Sequence, residues 1–560
     1  MKKIYAEEFL QDTIPPFEKN PFFEVDLSEF NFSPETNEND CAPQFDLSEI
    51  NLDDICTPAP TESEKVSVGL LEYFRAIIHQ LEKSYDFSCV DMLDLELDYD
   101  CFCDMTHLNR KGMMSANSLL SLKLCNFNLI PAENFCDMTY EYLYALSNVA
   151  PKDEYNALME LVFNFSAKEI RRKDKIKIGF VMIDSAQWCG DDLYNLFAQE
   201  ERFETTVFDC LRTDKTKNEI IKKDFWKGVE QFKTHNKLNV VALDKREAVV
   251  PTQDVIIFLT PYSNIVPNVF RPENMTAKTL TTYITYSFTV SIRAKGFYNR
   301  NIFHTSWKSF FSSVIGYEVH ARDNTVGLPR GLFSGYPRTD IFFKKDANFY
   351  FDWKMARPDA KKIIYAPHWS INDVTKYATF QWNHKFMYEF AKAHPEISWV
   401  IKPHQALFFS AVKEKVFPSL EAFEEYLQKW NELPNARLYT GAYYQAIFAT
   451  SDGMIQDCGS FTAEYQFVDK PMIYLLRKGT TKRMNKLGNI ILEASYTVDG
   501  KNFDGIAALM QKVFIEGNDY KAAERKAVFD KYLNYPKLNG MLASEFIYKS
   551  IADEITEEPK

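Results

Sequence analysis

The feature that most constrains this chain is a change of hydrophobic rhythm at residue 175, where short apolar runs begin to alternate with segments of helical period. A strand pattern at 175–183 opens the series. A helix at 191–199, a strand at 203–208, a helix at 218–232 and strands at 238–243, 255–259 and 281–288 follow. After a polar stretch at 344–359 the alternation resumes. Strands are expected at 361–366, 397–401, 437–440, 453–455 and 471–475. Helices are expected at 381–392, across 411–431, at 443–448 and from Phe461 onward. Strands separated by helices require crossover connections, and crossovers make parallel sheets covered on both faces. The expected fold class is therefore α/β, with two doubly wound domains at 173–343 and 344–560. Ligands of such sheets lie beyond the carboxyl ends of the strands, so a cleft between the two domains is the expected site.

What precedes residue 173 has a different character. Residues 1–64 hold 16 of the chain's 78 Asp and Glu but only 3 of its 65 Lys and Arg, so the whole net charge of −13 resides there. Seven prolines and a repeat, Asp-Leu-Ser-Glu-Phe-Asn-Phe at 26–32 and Asp-Leu-Ser-Glu-Ile-Asn-Leu at 46–52, complete the picture of an acidic, disordered tail. Its Phe22, Phe23, Phe30 and Phe32 are candidates for docking on a surface groove. Residues 65–172 are expected to be mostly helical, from apolar spacing at 68–81 and 140–165. The remaining body is electrically neutral, which argues against a nucleic-acid partner, because phosphate backbones demand a basic footprint. Ten cysteines without a Cys-x-x-Cys indicate neither a disulfide framework nor a metal site, and no cofactor is called for. No apolar run is long enough for a membrane span and no secretory leader is visible, so the expected location is the cytoplasm.

Three blocks in the second half carry the chemistry: Tyr365-Ala-Pro-His-Trp-Ser370, Ile401-Lys-Pro-His-Gln405, and the segment 451–471 that contains Asp457-Cys-Gly-Ser460 and ends in Lys470-Pro471. The first two directly follow expected strands. In order and spacing they resemble the CDP-glycerol glycerophosphotransferases, teichoic-acid polymerase-like enzymes of the GT-B fold. The resemblance covers roughly residues 330–480 by motif and 175–330 by layout and the Gly335-Tyr-Pro-Arg338 block. It implies two Rossmann-like domains, an acceptor domain at 173–343 and a nucleotide-donor domain at 344–560. A shorter likeness concerns Cys103-Asp-Met-Thr-His107, which resembles the Asp-x-x-His block of SGNH/GDSL hydrolases. There Asp104 would orient His107, but the Gly-Asp-Ser nucleophile block is absent upstream, which makes a remnant the plainer reading.

The residues themselves are suited to such a site. Gly459 and Ser460 stand where a strand turns into a helix, and free N–H groups there favour a diphosphate. Thr462 offers a hydroxyl and Glu464 an acceptor for ribose; Asp457 belongs to the same donor-binding block. The plain alternative for Ser460 is an N-cap. His404 and Lys402 follow a strand end, where an imidazole deprotonates an acceptor or donates to a phosphoryl oxygen and the ammonium adds charge. His368, in the position of a family threonine, and Arg338 are further donor-side candidates, as is the basic loop 477–483. One departure is marked. The family's Trp-His-Gly-Thr histidine has no counterpart in 282–288; Tyr286 there is a poor base, and His304 is the candidate replacement.

The resemblance implies transfer of a glycerol-phosphate-type group from a CDP-alcohol to a hydroxyl of a cell-surface polysaccharide or lipid-linked acceptor, with peripheral membrane association as an open question. A GT-B glycosyltransferase using a nucleotide-sugar donor is the alternative on the same fold. A non-catalytic polysaccharide-assembly or binding protein is the alternative of a different class.

Overall fold

A computed structural model describes residues 110–557, apart from 127–129, 184, 215–221, 223, 224, 227, 231, 234–237, 245–251 and 373–374. The acidic tail, Asp104 and His107, and much of the helix expected at 218–232 lie outside the described residues. By internal contacts the chain divides into two units, residues 1–131 with 145–151, and residues 132–144 with 152–560. In the first unit the main described element is the helix Arg110–Asn126. The second unit contains both sheets.

The first sheet has seven parallel strands: β1 Ile176–Met182, β2 Phe203–Cys210, β3 Val240–Leu243, β4 Val255–Phe258, β5 Leu280–Ile284, β6 Lys308–Phe311 and β7 Gly331–Phe333. Their spatial order is β3-β2-β1-β4-β5-β6-β7. The register sets Ile176 opposite Phe203 on one side of β1 and Ile178 opposite Val255 on the other. The second sheet has six parallel strands: β8 Lys361–Ala366, β9 Ile397–Ile401, β10 Ala436–Leu438, β11 Gly453–Gln456, β12 Met472–Leu476 and β13 Tyr496–Asp499. Its order, β10-β9-β8-β11-β12-β13, repeats the first six positions of the first sheet. Each sheet therefore reverses winding once, between β1 and β4 and between β8 and β11. At such a switch point the connecting loops part and leave a crevice. The fold is the two-domain, doubly wound GT-B architecture expected from the alternation.

Strands this apolar are buried on both faces. β1 and β4 carry almost no accessible surface, and β9 is buried at all five positions. Around β9 the second core gathers Trp399, Trp430, Tyr365 and Phe423, each fully buried. Burying a large apolar side chain contributes about 1.5–3 kcal/mol, so these rings dominate the cohesion of the second domain.

Three differences from the expected layout have physical causes. β6 and β7 escape periodicity: β6 begins with Lys308, whose buried ammonium pairs with Glu554, a residue 246 positions on. The strand expected to reach residue 288 stops at Ile284, and the chain beyond it turns toward the second domain. The chain also returns: the last helix, Ala543–Thr556, packs on the helices Lys152–Arg171 and Asp191–Ala198 of the first domain. Asp340 anchors that return by accepting the Ala543 and Ser544 N–H groups at 3.0 and 2.8 Å and the Tyr535 hydroxyl at 2.6 Å.

Candidate functional site

A cavity of about 460 Å³ lies between the strand ends of the two sheets. Its wall is built almost wholly from segments that leave the carboxyl ends of strands. From the first domain come Gln187 after β1, Tyr262 after β4, and Tyr286 to Arg293 after β5. From the second come His368 and Trp369 after β8, Lys402 to Gln405 after β9, Thr440 to Ala442 after β10, and Cys458 to Phe461 after β11. Glu464 is the sole carboxylate on this described wall.

His368 and His404 face one another across the β8 and β9 loops, with ring centroids 5.4 Å apart. Each ring is held by its own loop. The Ala406 N–H donates to His404 Nδ1 at 3.0 Å, so His404 caps the helix Gln405–Lys413. The Ser370 N–H points at His368 Nδ1 at 3.3 Å and the Ser370 hydroxyl at 2.8 Å, while Ser370 Oγ accepts the Tyr377 N–H at 2.9 Å. A backbone N–H only donates, so Nδ1 is the acceptor in both neutral rings and the proton sits on Nε2. Enclosure, followed by the charge of His404 on His368 and of Lys402 on His404, holds both imidazoles below their ordinary range. His404 opens to cleft water while protein walls its other sides. The pair thus presents two uncharged N–H donors. Of the two roles expected of His404, a ring whose Nε2 carries the proton is arranged for donation to a phosphoryl oxygen.

Lys402 lies in an aromatic frame, 5.3 Å from the Tyr439 ring, 5.8 Å from Tyr444 and 6.0 Å from Phe461, and donates to the Gly441 carbonyl at 2.9 Å. Burial is the main cause that brings its ammonium down to about 8. Arg338 is drawn away from the cavity centre. Its Nε donates to the Trp188 carbonyl at 3.2 Å and its Nη1 to the Tyr444 hydroxyl at 3.3 Å. Tyr444 in turn donates to Glu464. Glu464 is buried, which raises its carboxyl, while Arg338 and the Tyr444 and Ser460 hydroxyls oppose that rise. The carboxylate expected to meet ribose is therefore the centre of an internal Arg–Tyr–Glu cluster.

Of the sequence-derived candidates, Lys402, His404, His368, Arg338, Gly459, Ser460 and Glu464 come together on the cavity wall. Three do not. Asp457 is fully buried and accepts the His368 N–H at 2.6 Å, the Thr379 N–H at 2.5 Å and the Thr379 hydroxyl at 2.7 Å. It straps the β8 loop to the next segment instead of meeting a ligand. Thr462 is buried with its hydroxyl donated to the Cys458 carbonyl at 2.8 Å, because it lies on the inner face of its helix. His304 is wholly buried in the helix Asn301–Thr305, beside Asn299 and edge-on to Tyr144, so it does not stand in for the missing histidine. The helix after Gly459 is also shorter than expected, a single turn at Ser460–Glu464. At Gly459 itself, an added Cβ would meet its nearest atom at 3.7 Å, so the residue leaves room on the wall without being forced by packing.

Sequence reasoning missed Arg293, Tyr444 and Ser370. The first follows a strand end, the one available signal, but its neighbours Val290-Ser-Ile-Arg-Ala-Lys295 carry no motif. The other two act through contacts that sequence spacing does not reveal.

No family model and no curated protein match this chain. Among solved structures, the wall teichoic acid polymerase TagF is similar at 14% identity and a TM-score of 0.47, over 80% of this chain and 99% of that one. A putative UDP-N-acetylglucosamine 2-epimerase from Listeria monocytogenes is similar at 13% identity and a TM-score of 0.44, over 69% and 98%. The UDP-GlcNAc 2-epimerase from Neisseria meningitidis, solved bound to UDP-GlcNAc, is similar at 11% identity and 0.42, over 68% and 100%. These are likenesses of chain layout, and what the cleft does is read from its own residues.

Proposed function

We propose that the protein is a transferase that moves a polyol-phosphate group from a CDP-alcohol to a hydroxyl of a polysaccharide or lipid-linked acceptor, releasing CMP. The observation that carries this reading is the make-up of the cleft. Two imidazole N–H donors, an ammonium and two guanidinium groups line it against a single carboxylate that is already matched within the protein. Such a wall suits a diphosphate. Phosphoryl transfer through a loose transition state depends on positioning and charge stabilisation more than on a strong base. In this reading the acceptor hydroxyl gives up its proton to cleft water and its oxygen forms the new bond to the β-phosphorus as the bond from that phosphorus to the CMP oxygen breaks. His368 and His404 donate to the phosphoryl oxygens, and Lys402 supports the charge of the departing CMP. The blocks at 365–370, 401–405 and 451–471 favour a CDP-alcohol over other donors.

The test combines a thermal-shift screen with product analysis. A nucleotide at about 100 times its dissociation constant stabilises by roughly 2.7 kcal/mol. Cytidine nucleotides are expected to raise the melting temperature more than uridine or guanosine nucleotides. CDP-glycerol or CDP-ribitol with an acceptor is expected to yield CMP. Release of a nucleoside diphosphate from a sugar nucleotide would replace this reading by a glycosyltransferase. Binding without turnover on any acceptor would favour a non-catalytic role.

A further inference from the structure

Three cationic side chains line the described cleft, and two of them are engaged inside the protein. Arg338 is held by the Trp188 carbonyl and Tyr444, and Lys402 by the Gly441 carbonyl and its aromatic frame. Arg293 differs. It is exposed, the face of Phe297 lies 5.4 Å from its guanidinium, and among the described residues no oxygen accepts from that guanidinium.

Its placement is nevertheless firm. The chain leaving β5 crosses to the second domain as a strap. Along it the Thr289 carbonyl accepts from the Asn485 side-chain amide at 2.6 Å and the Val290 carbonyl from the Asn485 N–H at 2.8 Å. The Ile292 N–H donates to the Arg483 carbonyl at 2.9 Å, and the Ser291 hydroxyl accepts from Tyr377 at 2.9 Å. The Tyr377 ring lies 5.9 Å from the His368 ring, so the strap lands beside the imidazole pair. A guanidinium with five unused donors thus stands at the ligand cavity on a strap fixed by four hydrogen bonds to its neighbours, three at its backbone and one at the Ser291 hydroxyl.

We propose that Arg293 binds the distal phosphate of a nucleoside diphosphate, the phosphate to which His368 and His404 also donate, while the proximal phosphate lies toward Lys402. This deepens the donor-site reading above and rests on it. The strap belongs to the first domain, which faces the acceptor, so its cation meets the end of the donor that points toward that domain. The fork geometry of guanidinium matches two oxygens of one phosphate, which a lysine ammonium does not reproduce. The positive charge of Arg293 already reaches the Tyr286 and Tyr377 hydroxyls on the two sides of the cavity.

The test uses the full-length chain and isothermal titration with CDP and with CMP. The wild type is expected to bind CDP more tightly than CMP. Arg293→Ala is expected to weaken CDP by about 10- to 100-fold, the scale of charge-assisted hydrogen bonds, and to change CMP less than about twofold. Arg293→Lys is expected to fall between. The side chain is exposed and the strap is held by other residues, so both variants should melt with the wild type. Equal weakening of CDP and CMP, or an undiminished CDP preference in Arg293→Ala, overturns the proposal. A wild type that binds both cytidine nucleotides equally overturns it while leaving the donor-site reading intact. A wild type that binds neither overturns both.

Discussion

Replacing Asp457 by Asn isolates the electrostatic cost of the strap beneath the β8 loop. The carboxylate is fully buried and accepts three hydrogen bonds, one from His368 and two from Thr379. Burial nevertheless wins over those bonds and raises its carboxyl from 3.8 to about 6. That displacement corresponds to about 3 kcal/mol. Because the folded pKa is the higher one, the native state holds more protons than the unfolded state between about pH 4 and pH 6. Stability from this group is complete below the unfolded pKa and is lost as pH rises through 6. Asparagine does not titrate, but it brings an amide N–H₂ against one of the buried donors, a mismatch that costs about 1–3 kcal/mol at every pH. The wild type should therefore be clearly more stable than Asp457→Asn at pH 4, and the gap should shrink by up to about 3 kcal/mol by pH 7 and close or invert. Calorimetric melting of both proteins at half-unit steps from pH 4 to 8 reads this directly. A gap that stays constant across the series refutes the reasoning. It would mean that the three hydrogen bonds offset desolvation and leave the carboxyl in its ordinary range.

Three further outcomes follow from the geometry. His404→Gln should lower turnover about 10²–10³-fold, the cost of removing one preorganised donor, with nucleotide affinity held within a few-fold; the lost helix cap should cost only about 1 kcal/mol of stability. His304→Gln should instead lower the melting temperature and leave the turnover of the folded enzyme unchanged, because that ring is packed away from the cavity; selective loss of turnover would return the base to the first domain. Gly335→Ala should destabilise by about 3 kcal/mol or more, since Gly335 has φ +89° and an added Cβ would stand 2.2 Å from the Tyr535 ring, and a melting temperature equal to the wild type would rule that out.

The boundary between local and tertiary information runs through the cavity wall. Every second-domain block singled out for chemistry follows a strand the sequence marks clearly, because β8, β9 and β11 are apolar runs whose burial is a local property of the residues. A residue just beyond such a strand has a good chance of reaching the crevice, and Lys402, His404 and His368 do. Which way a side chain faces after the strand ends is not a local matter. Asp457 and Ser460 are three positions apart, yet the first turns inward to Thr379 and the second lines the cavity, because the donors awaiting Asp457 come from residues 368 and 379.

The sequence by itself determined the alternation, hence two parallel sheets, their winding by crossovers and the strand ends as the candidate site, since each follows from hydrophobic period and from the steric rule that parallel strands need a covering connection. It also determined that the body is neutral and the acidity confined to residues 1–64. The tertiary structure alone decided the tautomers of the two histidines, because these depend on N–H groups aimed at Nδ1. It decided that Arg338 and Glu464 meet through Tyr444 while Arg293 stays exposed on the cavity wall. Charges in a folded protein are assigned by distance in space, and residues 338, 444 and 464 are neighbours only after the sheets have wound.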